Sequence, residues 1–197
     1  MRYDAEHKQQ TRSKVLQVAA RAIRAEGPMR VGVAGVMAEA GLTHGGFYAH
    51  FASKDELIAA AIRQMFDESW QRVQYEMDER DPAVGLLAYI DFYLSRRHRD
   101  ARGAGCPIAA LASDLPRLSD TARAQFAAGV QRLVAMLAGK LAELGHADSK
   151  AQAHSVLAEL VGALSLARIE PDAKRSNAIL AASRRQLAQR LGLEARA

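Results

Sequence analysis

Apolar residues recur along most of the chain at the three- and four-residue spacing of amphipathic helices. Over residues 8–26, Val15, Leu16, Ala19, Ala22 and Ile23 share one face, Lys8, Arg12, Lys14, Arg21 and Arg24 occupy the rest, and Gly27-Pro28 stops the pattern. Val33, Val36, Met37 and Ala40 mark a short second helix, after which Gly41 stands where a helix end favours positive φ. Thr43 is a candidate N-cap for another short helix over residues 44–50. Ser53 and Glu56 have the spacing of a capping box and open a long helix to about Asp78, with Leu57, Ala61, Ile62, Met65, Phe66 and Val73 as its stripe. Asp81-Pro82 starts a helix through residue 98, carrying Leu86, Leu87, Ile90, Phe92, Tyr93 and Leu94. A break at residues 103–107 precedes a short apolar helix to Leu115. Ser119, Ser149 and Ser176 open three more helices, ending near Gly145, Glu170 and Gly192. No segment alternates with the period of a strand. The expectation is an all-α protein of about nine helices.

Composition narrows the class. In 197 residues, 49% are hydrophobic, 25% charged and only 6% aromatic, which suits a globular helical protein and excludes wholesale disorder. One cysteine, Cys106, excludes an internal disulfide framework and a Cys-rich zinc site. The opening residues lack the apolar core of a signal peptide, and no apolar run approaches the ~20 residues of a membrane span. A soluble, cytoplasmic protein without membrane contact is expected. The net charge of +5 permits a nucleic-acid partner without demonstrating one.

Geometry says more than charge. Two short helices joined by Ala40-Gly41-Leu42-Thr43 have the layout of a helix-turn-helix, whose second helix enters the major groove. Thr43, His44, Gly45 and Gly46 open that second helix, with small bulk where the backbone must approach DNA. Tyr48, His50 and Lys54 can donate hydrogen bonds to phosphate, and Phe47 and Phe51, four residues apart, can pin the short helix to its neighbours. Each contact has a structural alternative: Tyr48 as a half-buried ring, His50 as a solvated helix end, His44 idle at a given operator, and Lys54 as a counter-charge to Asp55 and Glu56. A cation at a helix N-terminus opposes the dipole, which favours an external anion as the partner of Lys54.

The stretch from Val36 to Leu57 resembles the signature of the tetracycline-repressor (TetR) family, on Ala40-Gly41, Thr43, Gly45, Tyr48, His50-Phe51, Ser53-Lys54 and Leu57. The resemblance covers residues 8–60 closely, and the remaining chain in length and helical character. It implies a helix-turn-helix DNA-binding domain over residues 1–54 and a helical ligand-binding and dimerisation domain over residues 55–197. By position it puts Thr43, His44 and Gly46 at base edges, and Tyr48, His50 and Lys54 at phosphates. Two departures stand out. Val31-Gly32 occupy the place of the usual Thr or Ser at the start of the second helix, and Met37 replaces a small residue.

The implied function is a dimeric transcriptional regulator, a repressor of a palindromic double-stranded DNA operator that a small-molecule inducer releases. Trp70, Tyr89, Phe92, Tyr93, Cys106, Phe126, Leu133 and Met136 are the candidate ligand lining, each with core packing as its alternative. Val156, Leu160, Leu164, Ile179 and Leu187 are candidates for a four-helix dimer interface formed by the last two helices. Cys106 precedes Pro107, which places its thiol at a helix N-cap near arginines and raises a second possibility, a repressor signalled by oxidant or electrophile modification. Its alternative is a buried small hydrophobe. The arginine-rich run 96–102 reads as a solvated helix end, with a second DNA contact as the other reading. The six histidines show no metal-binding spacing, so no metal or cofactor is expected. Gly103-Ala-Gly105 lacks the third glycine of a dinucleotide fingerprint, and no Walker loop or nucleophile elbow occurs. A helical enzyme using the C-terminal cavity is the remaining competitor.

Overall fold

The computed structural model describes residues 2–193, and among them it contains nine α-helices, three 3₁₀ segments and no strand. The helices are α1 Arg2–Glu26, α2 Val33–Glu39, α3 Lys54–Met77, α4 Pro82–Tyr93, α5 Arg96–Asp100, α6 Pro107–Leu111, α7 Asp120–Glu143, α8 Ser149–Ile169 and α9 Ala173–Arg190. The 3₁₀ segments are His44–Ala49, Arg102–Ala104 and Leu115–Arg117.

Local chemistry fixes several boundaries. At the end of α2 the Gly41 N–H donates to Ala38 O and the Leu42 N–H to Met37 O, both at 2.9 Å, with Gly41 at φ 74°. That pair of bonds needs the left-handed conformation glycine adopts without steric cost. The capping box at α3 is formed: the Glu56 N–H donates to Ser53 Oγ at 3.1 Å, and the Ala52 N–H donates to Glu56 Oε2 at 2.7 Å. Pro82 and Pro107 occupy first-turn positions of α4 and α6.

Several elements differ from the sequence pattern. The run expected over 82–98 divides into α4 and α5, because Ser95 caps a new helix by accepting the His98 N–H at 3.1 Å. The last helix starts at Ala173, capped by Asp172, which accepts the Arg175 N–H at 2.8 Å. Ser176 is buried instead, donating to Ala167 O at 2.6 Å and accepting from Arg99 at 2.8 Å. The segment over 44–49 winds as a 3₁₀ helix rather than an α-helix. Gly45 and Gly46, adjacent in this short segment, lower its preference for the α-helix.

Packing organises around α3. It lies against α1 and α7, α7 packs on α8, and α8 on α9. At its crossing with α7, Gly129 faces the Phe66 ring so closely that a Cβ there would lie 2.2 Å from Cγ. Phe66 in turn meets the edge of Phe126 with centroids 5.3 Å apart. Among the described residues, Arg24 of α1 is a charged side chain buried in the core. Its guanidinium donates to Glu68 at 2.6 Å and to Met65 O at 3.2 Å, both on α3. Among the described residues no helix is long and apolar enough to cross a membrane.

Candidate functional site

The first site is the exposed end formed by residues 43–54. Phe47 and Phe51 are buried and stacked with centroids 5.6 Å apart, and the Arg12 guanidinium lies 4.7 Å over the Phe51 ring. These rings anchor the 3₁₀ segment, so its other side faces outward. Tyr48 is 70% exposed, which removes the half-buried alternative. Thr43 and His44 are exposed, and the Thr43 hydroxyl makes no capping bond although it stands at the N-cap position. Gly45 has open space where a Cβ would stand, and Gly46 would meet only ordinary contacts with Met37 and Thr43. Neither glycine is required by the chain's own packing.

Lys54 makes no ion pair among the described residues. The Glu56 carboxylate is engaged elsewhere, by the Ala52 N–H and by Arg12 at 3.9 Å. His50 is half-buried with Nδ1 shielded and unpartnered, and burial, then the charges of Lys8 and Arg12, hold its pKa below the ordinary 6.5. The departure at Val31-Gly32 is absorbed by the backbone: Gly32 occupies the N-cap of α2 without a side-chain bond. Met37 is fully buried under the 3₁₀ segment.

The second site is a cavity of about 300 Å³ between α3, α4, α5 and α7. Five of the eight sequence candidates line it: Tyr89, Phe92, Tyr93, Cys106 and Leu133. Trp70, Phe126 and Met136 are not in the wall. Trp70 carries the Arg132 guanidinium 3.9 Å above its ring, Phe126 packs on Phe66, and Met136 packs against the core. The sequence reading missed the polar half of the wall, which includes Glu68, Ser69, Arg72, Arg97 and His98.

His98 is the most constrained of these. Its ring stacks on Phe92 with centroids 5.2 Å apart and meets Tyr93 edge-on at 4.8 Å. The Cys106 N–H donates to Nε2 at 3.0 Å, so that nitrogen carries no proton, while Nδ1 lies 2.7 Å from Tyr93 O and must carry one to donate to it. The imidazole is therefore neutral, with both nitrogens engaged. Burial lowers its pKa to about 4. Cys106 stands at the N-cap of α6, as its position before Pro107 suggests, but it makes no capping bond and is only 6% exposed. The Tyr93 hydroxyl is buried beside the Cys106 thiol with no nitrogen or oxygen partner, and burial, then the neighbouring thiol, raises its pKa; burial likewise raises that of Tyr89.

The proposed dimer residues divide differently. Val156, Leu160, Leu164 and Leu187 are buried in the chain's own core, and Ile179 is half-buried. These residues hold α8 and α9 to the rest of the protein. The outer side of α8 instead carries Leu166, 54% exposed, and Ile169, 75% exposed, with open space beside Gly162.

A helix-turn-helix whose second element faces outward, joined by one long helix to a cavity-bearing helical body, defines a DNA-binding transcriptional regulator. Residues 15–61 match the family of bacterial regulatory proteins of the tetR type, and residues 82–186, more than half the chain, match the LmrA/YxaF-like C-terminal domain of transcriptional regulators. The chain belongs to the TetR family of transcriptional regulators. It is 27% identical over 143 residues to YxaF of Bacillus subtilis (strain 168), an uncharacterised helix-turn-helix-type regulator, covering 72% of this chain and 75% of that one. Among solved structures, a TetR-family regulator from Agrobacterium tumefaciens superposes with a TM-score of 0.80 at 25% identity, over 93% of this chain and 98% of that one. Escherichia coli NemR in its reduced form shares the fold, with a TM-score of 0.80 at 21% identity over 91% and 97% of the two chains.

Proposed function

We propose that the chain is a dimeric cytoplasmic repressor, holding a palindromic operator through residues 43–54 and releasing it when a small molecule occupies the cavity. Thr43, His44 and Gly46 read base edges, and Tyr48, His50 and Lys54 hold phosphates. The boundary between the DNA-binding part and the ligand-binding part falls between residues 54 and 55, at the start of α3. The cavity is a binding site, not a catalytic one.

The observation that carries this reading is the continuity of α3. Lys54 begins it at the exposed end, and Glu68, Ser69 and Arg72 of the same helix stand in the cavity wall. From Lys54 to Glu68 is about 21 Å along the axis, at about 1.5 Å per residue. A ligand that prefers one tilt of this helix changes the spacing of the two recognition elements in a dimer, which must match grooves about 34–36 Å apart. Arg24 couples α1 to the same helix through Glu68.

The test is footprinting of the region upstream of its own gene, followed by fluorescence anisotropy on the protected sequence. A protected palindrome is expected, and its absence at every upstream site would defeat the repressor reading. On that sequence, Lys54→Ala should weaken binding to specific and random DNA alike and lower the salt slope by about one unit. His44→Ala should change the preference among operator variants, by roughly 1–3 kcal/mol. Equal losses on both DNAs would move His44 to the phosphate side.

The dimer places the outer side of α8 against its copy. Leu166 and Ile169 are large apolar side chains left open by the chain's own packing. The double variant Leu166→Glu, Ile169→Glu should sediment as a folded monomer with an unchanged helical spectrum. A variant that remains dimeric would place the interface elsewhere. Leu160→Glu cannot serve, because it would bury a charge in the protein's own core.

A further inference from the structure

The wall of the cavity presents three formal charges, and they are not equally available. Both oxygens of Glu68 are engaged: Oε2 accepts from Arg24 at 2.6 Å and Oε1 accepts from Gln64 at 3.1 Å. Arg72 pairs with Glu76 at 3.4 Å, one turn along α3, and its guanidinium lies 4.7 Å over the Phe92 ring. Arg97 pairs with no carboxylate among the described residues. His98 adds no charge, since both ring nitrogens are held in the neutral form. The wall thus offers a surplus cation and no surplus anion.

The Tyr93 hydroxyl, beside the Cys106 thiol, is the polar group of the wall with the weakest partner. Tyr93 is 2% exposed and lines the cavity, and its hydroxyl has the Cys106 thiol beside it but no nitrogen or oxygen partner. Buried hydroxyls are almost always paired, and a thiol is only a weak acceptor, so a hydroxyl answered by sulfur alone at a cavity wall can still donate to a guest. Around it stand the rings of Tyr89, Phe92 and His98, in edge and stacked arrangements that favour a planar guest. A volume of about 300 Å³ lies at the small end of ligand pockets and limits that guest to a compact molecule.

We propose that the cavity takes a small aromatic carboxylate, its ring among Tyr89, Phe92 and His98, its charge answered by Arg97, and one of its oxygens accepting from the Tyr93 hydroxyl. A cationic amine is disfavoured, because the one carboxylate in the wall already has two donors. The proposal rests on the effector reading of this cavity.

The experiment is titration calorimetry of the full chain, without DNA, against benzoate and 4-hydroxybenzoate, their neutral amides, and hexanoate. The acids are expected to bind saturably and at least tenfold tighter than the amides or hexanoate. Arg97→Gln, at an exposed position, should bring the acids down to the level of the amides, and Tyr93→Phe should weaken the acids at least fivefold. Amides that match their acids, hexanoate that matches benzoate, acid binding indifferent to Arg97→Gln, or no saturable binding by either acid would overturn the proposal. The same acids are then added to the operator complex. Binding that depends on Arg97 while the operator stays bound would sustain the ligand class and sink the effector reading alone.

Discussion

Gly129→Ala is expected to destabilise the protein by about 3 kcal/mol, at the upper end of the cost of overpacking a core. The added methyl would stand 2.2 Å from Cγ of Phe66 and 2.4 Å from both Cδ atoms, and Phe66 is itself buried against Phe126. The helix would have to move away or the ring would have to leave its well. Intrinsic helix propensity acts in the opposite direction, favouring alanine over glycine by about 1 kcal/mol. Gly139, on the same helix, separates the two effects, because open space surrounds its missing side chain. Gly139→Ala should stabilise by about 0.5–1 kcal/mol. Denaturant unfolding at one fixed protein concentration, which keeps association constant, measures both. If the two variants shift stability in the same direction, the α3–α7 contact is looser than described.

The second large effect is an acid-sensitive loss of stability centred on His98. Burial disfavours its charged form most, the Tyr93 carbonyl partly restores it, and Arg168 and Arg72 oppose it further, leaving a folded pKa of about 4 against an ordinary 6.5. Between those values the unfolded chain binds a proton that the folded chain refuses. Stability from this residue is therefore complete above about pH 6.5, falls as pH is lowered towards 4, and is exhausted below it. The interval corresponds to about 3 kcal/mol. His98→Gln should cost stability at neutral pH, yet its stability should fall less steeply than wild type between pH 6.5 and 4. Parallel pH profiles for the two proteins would show that His98 does not carry the effect.

The DNA-binding end was legible because its signals are local. Gly41 at a helix end, Ser53 and Glu56 in a capping box, and Phe47 and Phe51 four residues apart each act within one or two turns. The 3₁₀ winding of residues 44–49 escaped because periodicity alone does not weigh the two glycines there. The split at Ser95 was hidden by the unbroken apolar run around it, although Ser95 and His98 have N-cap spacing. Asp172 and Ser176 are both good caps, and only the burial of Ser176 against Ala167 and Arg99 decides between them. For the cavity, a search for rings finds Tyr89, Phe92 and Tyr93 but passes over Arg72, a polar residue within the long helix, and Arg97 and His98, which read as part of a solvated helix end. The dimer residues show the limit of an apolar stripe. It marks Leu160 and Leu164 as buried without saying whether the chain's own core or a second copy does the burying.

Glu68 has a consequence for anyone converting this regulator into a biosensor. One oxygen of its carboxylate is tied to Arg24 of α1, while the residue also forms part of the cavity wall. Wall positions on α4 and α7, such as Phe92 and Leu133, can be redesigned for a new analyte without touching that tie. With the cavity as the proposed effector site, changing Glu68 should alter the resting output together with the analyte range, so leaky reporter expression should cluster among variants at this one position. On that proposal, dose–response tuning belongs on the far wall and background on α3.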